Sequence, residues 1–314
     1  MKGLIMQPHK KRSLQQSVST DWSRHKLKYL MMLPIIVYFL LFCYKPMYGL
    51  VIAFKNFRPT LGVAGSKWVG LKNFTRFING FYFGRTLRNT FLISLYNILW
   101  GFPAPIILAL LLNELSSNKF KRVVQSISYI PHFISMVVIC TMIRQFSLSD
   151  GVFNDIAAFF GAKRSSLLQS AGNFRTIHVV SGIWQGIGWG SIIYIAALTG
   201  IDPQLYEAAE IDGAGHLRQI IHVTLPGILP TIVMLFILRM GSILNVGYEK
   251  ILLLYNEGIY ETADVISTYV YRTGLGEGNF SYSAAVGMFN SVVNIVFLLA
   301  TNFISKKVTD VGLF

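Results

Sequence analysis

Apolar and polar positions do not alternate along most of this chain; they segregate into long blocks. Asn89–Asn113 is 25 residues without Asp, Glu, Lys or Arg, Thr176–Ile201 is 26 and Tyr282–Ser305 is 24. Each exceeds the roughly 18–20 residues that cross about 30 Å of hydrocarbon. Three further apolar blocks complete the set, the fifth carrying one internal charge, Arg239. The pattern predicts an all-α integral membrane chain of six transmembrane helices, at about 29–54, 89–113, 123–143, 176–200, 227–246 and 282–305. The first starts at Tyr29, with Lys45-Pro46 at its outer end. Pro103 and Pro105 predict a kink in the second, and Pro131 sits centrally in the third. Gly182-x3-Gly186-x3-Gly190 in the fourth lets a second backbone come close, either inside the subunit or across a subunit boundary. Residues 247–281 read as polar loop.

Composition supports a membrane protein. Charged residues make up 13% of the 314, against about 25% in soluble domains, and 53% are hydrophobic. Residues 1–28 carry seven Lys or Arg against one acid, which predicts a basic cytoplasmic tail, irregular to about residue 20. These polar residues, with no small-x-small cleavage site after the first apolar run, argue against a cleaved leader. Residues 29–314 form the membrane domain. With both termini on one side, each face of the membrane carries 13 Lys and Arg on these boundaries. The tail precedes the first helix and the inner segments are shorter, which favours termini inside (N-in/C-in). Cys43 and Cys140 lie in apolar runs and read as core residues; no His or Cys has metal-ligand spacing, so no metal site is expected.

The loop at 201–226 holds the most specific pattern. Asp202-Pro203 starts a short helix, Glu207-Ala208-Ala209-Glu210 gives it a small-residue face, and Asp212-Gly213-Ala214-Gly215 breaks it. A second helical stretch, His216–Thr224, is expected to stop at Leu225-Pro226. The full spacing E-A-A-x-x-D-G-A followed by L-P resembles the EAA loop of binding-protein-dependent ABC importer permeases. Residues 28–314 resemble the membrane subunits of type I importers, the class of the maltose transporter. Pro46–Gly49, Asn245–Asn256 and Tyr260–Tyr271 resemble the branch that imports oligosaccharides, those of acidic polymers included. One departure is aliphatic Ile220-Ile221, where the family often has an aromatic.

That resemblance implies a type I ABC importer permease fold in the bacterial cytoplasmic membrane and a coupling loop at 201–226. Glu207 would pair with an ATPase subunit, Ala208, Ala209 and Gly213 would shape the docking knob, and Leu225-Pro226 would close it. It implies a second permease as heterodimer partner, two ATPase subunits, an extracellular substrate-binding protein, membrane lipid around the spans and an oligosaccharide substrate. ATP and Mg would be bound by the ATPase subunits. This chain has no G-x-x-x-x-G-K-[ST], so the ATPase is expected on a separate polypeptide. With no nucleophile–base or metal set, no catalysis is expected, nor a cofactor or a nucleic-acid partner of its own. Other readings are import of a polyamine or glycerol phosphate, or a secondary transporter, though no Asp or Glu falls in the spans to couple an ion gradient.

A guanidinium inside a span costs about 2.5–3.5 kcal/mol on insertion scales, so Arg239 should face protein or a watery path. Asn245, Tyr248 and Glu249 are expected to continue its helix, Asn245 about 9 Å further out at 1.5 Å per residue. Tyr96, Asn97, Trp100, Trp184, Gln185 and Trp189 supply further rings and amides for a sugar. The outer 45–88 segment carries eight Lys or Arg and no acid, which suits lipid headgroups, an acidic glycan or an acidic partner face.

Overall fold

The computed structural model describes residues 14–314, almost wholly helical. Residues 1–13, the first part of the expected basic tail, lie outside the described residues. The first helix begins at Leu14, inside the stretch expected to be irregular, since no Gly or Pro interrupts residues 14–24. It changes direction at His25 (φ −125°, ψ 19°). Span 1 then runs His25–Phe54, and none of its most apolar stretch is buried against the rest of the chain. Its outer end, the 3₁₀ turn Tyr48–Phe54, packs on span 6.

Outside, Lys55–Asn56 and Lys67–Trp68 form a two-stranded antiparallel hairpin. Asn73 pins it by donating its Nδ2 to the carbonyls of Ala53 (2.8 Å) and Lys55 (3.1 Å). Part of the basic charge there serves the fold. Lys55 Nζ donates to the Val63 carbonyl at 2.7 Å, and Arg76 lies over the Tyr282 ring at 4.8 Å.

Span 2 runs Phe83–Asn113. Its expected kink takes the form of a π-turn, Asn97–Gly101, just before Pro103. Widening the helix there lets Phe102 N bond to Asn97 O at 2.9 Å, ahead of residues with no N–H to give. Span 3, expected at 123–143 with Pro131 at its centre, is two helices. Asn118–Phe133 and Met136–Phe146 meet at 98°. Pro131 tightens the first into a 3₁₀ turn, Ile134 and Ser135 are extended, and Ser135 Oγ then caps the second by accepting from Val138 N (3.4 Å).

Span 4 is one unbroken helix, Ala171–Leu198. A Cβ at Gly188 would overlap the Ser128 carbonyl of span 3, so that crossing needs a glycine. Of the glycine row, Gly190 meets Pro105 and Gly182 meets Lys250 within the chain, while Gly186 faces open space.

Span 5 does not begin after Pro226. The helix starts at His216, passes through a π-turn at Ile220–Thr224 and continues to Met240. The expected stop at Leu225-Pro226 fails because the π-turn shifts the bonding register, Leu225 N reaching Ile220 O, just where proline lacks an N–H. The chain then leaves the helix, Gly247 adopts φ +82°, and Tyr248–Leu254 is a separate helix. Asn245, Tyr248 and Glu249 are therefore not on the helix of Arg239. Residues 247–281 are no polar loop either. Ile251, Leu254, Ile259, Ala263, Val265 and Ile266 are buried, packed with Ile93, Ile139 and Phe174 or with Phe77 and Tyr269. Span 6 closes the bundle at Phe280–Thr309.

Candidate functional site: an inner hairpin and a membrane cavity

The hairpin between spans 4 and 5 is built locally. Asp202 Oδ1 accepts from Gln204 N at 2.9 Å, starting Pro203–Ile211. That helix ends where Ala214 N bonds to Ala209 O (2.9 Å) and Gly213 takes φ +74°, open to few residues but glycine. Tyr206 and Thr224 hydroxyls, 3.0 Å apart, join the two arms, and Gln219 Nε2 donates to the Ala214 carbonyl at 3.0 Å. His216 Nδ1 approaches Glu114 at 3.4 Å, which ties the hairpin to the turn between spans 2 and 3. Glu207, Ala208, Glu210, Asp212, Gly213 and Gly215 are exposed, while Ala209, Ala214 and Leu225 are partly covered. Around them stand bare apolar side chains, Ile211 at 87% and Leu217 at 75% exposure. A knob of this kind suits a partner surface that offers both apolar pockets and cations. Tyr206, Gln219, Thr224 and Glu114 are the braces that sequence reading missed; only their pairing in space marks them.

Within the bundle a cavity of about 360 Å³ lies among spans 2, 4 and 5. Asn97, Gly182, Gly186, Tyr194 and Arg239 line it. The glycines leave room, the π-turn presents Asn97, and span 5 presents Arg239. The Arg239 guanidinium makes no hydrogen bond or ion pair among the described residues. Tyr96 adjoins Asn97 in sequence.

The remaining path candidates disperse. Trp184 faces a separate apolar groove with Ile139, Phe146 and Val180. Trp189 stacks flat on His132, ring centres 4.5 Å apart and planes 2° apart, with Phe133 edge-on at 5.8 Å. Trp100 is exposed at 66%, and Gln185 is half-buried on span 4. Asn245 accepts from Asn290 at 3.2 Å, Tyr248 packs on Tyr271, and Glu249 is exposed.

A polar cluster at the outer end was not foreseen. Asp264 is fully buried and receives Arg85 (3.1 Å), two N–H groups of Arg272 (2.9 and 3.2 Å) and Thr268 (3.1 Å). Burial works against the Arg272 charge, but Asp264's hydrogen bonds and charge outweigh it and hold the guanidinium above its ordinary range. On span 4, away from that carboxylate's hydrogen bonds, the His178 carbonyl accepts from buried Lys250 at 2.9 Å.

Residues 80–310 match the family model of the binding-protein-dependent transport system inner membrane component. The polygalacturonan/rhamnogalacturonan transport system permease protein YteP of Bacillus subtilis (strain 168) is 44% identical, over 93% of this chain and 91% of its own. LplB of the same organism is also 44% identical, over 93% and 92%. One chain of a crystal structure of a bacterial ABC transporter involved in the import of the acidic polysaccharide alginate superposes with a TM-score of 0.86 and 43% identity. It covers 93% of this chain and 99% of its own. Fold, sequence match and spans agree, and this chain belongs to the family of binding-protein-dependent transport system inner membrane components, as a non-catalytic membrane permease of the ABC importer type.

Proposed function

We propose that the chain lines the pathway of an ATP-driven importer for oligosaccharides of acidic polysaccharides. The single observation that carries this is Arg239: a guanidinium on a 360 Å³ cavity inside the membrane, with no carboxylate among the described residues paired to it. A cation there is costly unless something anionic or strongly polar comes to it. A sugar with carboxylates and hydroxyls fits, with Asn97 as amide partner. A polyamine would meet like charge. The relatives named for polygalacturonan and alginate transport point the same way.

The coupling role falls to the exposed hairpin. Glu207 and Glu210 offer charge to a cation of an ATPase subunit, Ala208 and Ala209 permit close approach, and Ile211 and Leu217 supply apolar anchors. Two ATPase subunits that bind ATP and Mg would move this hairpin and that of a second permease. The hairpin is braced to span 5 through Tyr206–Thr224 and leads without a break into the helix that carries Arg239. Tilting it therefore moves the cavity wall. ATP shifts the population between inward-open and outward-open forms by binding one better than the other. An extracellular binding protein would deliver the sugar.

The test is uptake of labelled trigalacturonate by proteoliposomes that contain this chain, its partner permease, the ATPase subunits and the binding protein. Uptake should need ATP and the binding protein, and Arg239→Gln should lower it about tenfold, the value of one charge-assisted hydrogen bond. Uptake that persists without nucleotide, or a complex that carries no oligosaccharide, overturns the reading.

A further inference from the structure

The outer ends of spans 2 and 4 hold more positive charge than the fold uses. Four guanidiniums gather there: Arg85, Arg88, Arg175 and Arg272. Asp264 is already saturated by Arg85, Arg272 and Thr268. Arg175 donates one Nη2 proton to Asn89 Oδ1 at 2.7 Å, and Asn89 in turn donates to the carbonyls of Glu261 (2.9 Å) and Asp264 (3.0 Å). The Arg175 Nε is buried and has no hydrogen-bond partner. Arg88 is exposed and makes no hydrogen bond or ion pair among the described residues. Arg88 and Glu261 are the charged groups near enough to act electrostatically on Arg175, together with the Tyr96 phenol. The one carboxylate among these, Glu261, is exposed and leaves the pair of arginines in surplus.

The surplus has a direction. Arg175 and Gly182 are seven residues apart on span 4, two helical turns, so they share a face. Gly182 and Gly186 on that face line the Arg239 cavity. Arg175 therefore stands roughly 10 Å outward of the cavity on its own wall. Guanidiniums take carboxylates through paired N–H donors, and a low-dielectric rim strengthens the attraction.

We infer that Arg88 and Arg175 form an outer subsite for a carboxylate of the travelling sugar, ahead of the Arg239 cavity. This rests on the reading of the substrate as an acidic oligosaccharide. A uronate passes from one guanidinium station to the next. Neither station forms an ion pair among the described residues, so neither needs one broken before it can bind.

The experiment uses the whole transporter in proteoliposomes, with trigalacturonate delivered by saturating binding protein. Arg88 is the residue to change because it holds no other side chain by hydrogen bond or ion pair among the described residues. Two quantities are read: the rate of uptake, and the binding-protein concentration that half-activates ATP hydrolysis. Arg88→Gln should lower uptake about tenfold, leave half-activation where it was, and be largely rescued by Arg88→Lys. Unchanged uptake in Arg88→Gln overturns the subsite. So does an equal shift in half-activation, which would make Arg88 a docking contact for the binding protein. A wild-type complex that carries no trigalacturonate fails earlier and removes the proposed function together with the subsite.

Discussion

Arg272 grips Asp264 with two parallel hydrogen bonds, Nη1 to Oδ1 at 3.2 Å and Nη2 to Oδ2 at 2.9 Å. Arg85 reaches the same carboxylate from span 2, although 179 residues separate the two in sequence. This one buried acid therefore joins span 2 to the segment that precedes span 6. Removing it leaves two half-buried guanidiniums facing each other. Asp264→Ala should cost about 3–5 kcal/mol, read as a lower melting temperature of the purified complex in detergent. A melt that matches wild type would show that the cluster does not hold the outer end together.

Two neighbouring glycines of span 4 should part company on mutation. A side chain at Gly188 collides with the Ser128 carbonyl, whereas Gly186 has nothing within 4 Å of an added Cβ. Gly188→Ala should destabilise by roughly 1–3 kcal/mol, since backbone must move. Gly186→Ala should leave the melt within about 0.5 kcal/mol of wild type while it lowers uptake by narrowing the cavity. Equal melts for the two variants would contradict the tight crossing of spans 3 and 4.

The hairpin can be tested through coupling. Glu207→Lys reverses an exposed charge and should leave expression and folding intact. It should uncouple ATP hydrolysis from uptake, with transport per ATP at least about tenfold lower. Gly213→Val forces a β-branched residue to φ +74°, at a cost of about 1–3 kcal/mol, and should reduce co-purification with the ATPase. Wild-type uptake in the first variant, or an intact complex in the second, removes the docking role.

Lys250 gives a pH signature. It lies in the segment between spans 5 and 6, and burial pushes its ammonium down from 10.5 to about 8. His178, Cys140 and Glu249 are the titratable groups around it. Between pH 8 and 10.5 the unfolded chain binds the extra proton, so stability rises with pH across that window. Below about 8 both forms are charged and the full penalty of burial applies. Lys250→Met should thus be more stable than wild type at pH 7, by about 1–3 kcal/mol. The difference should shrink as pH rises to 10. A difference that stays flat across that range would show that Lys250 keeps its ordinary affinity for protons.

Much of this protein is legible along the chain. Span number follows from uninterrupted apolar length, because every residue in hydrocarbon bears its own transfer cost. The inner hairpin follows from Asp202-Pro203, Gly213 and Gly215, whose backbone preferences act locally. Where local rules compete, sequence reading goes astray. Pro131 and Ser135 break span 3, while Pro226 leaves span 5 intact, since in one case the chain escapes into extended backbone and in the other a π-turn absorbs the missing donor.

What the tertiary structure alone decided is which distant residues meet. Asn97 and Arg239 converge on one cavity, while Trp184, Trp189 and Asn245, equally plausible by composition, turn to other neighbours. Residues 247–281 look polar in sequence and yet bury Ile251, Leu254 and Val265 against Ile93, Ile139 and Phe174, as well as the carboxylate of Asp264. Apolar length is additive and can be counted residue by residue. A hydrogen bond between Arg85 and Asp264 depends on where two helices cross, and that is set by packing of the whole bundle.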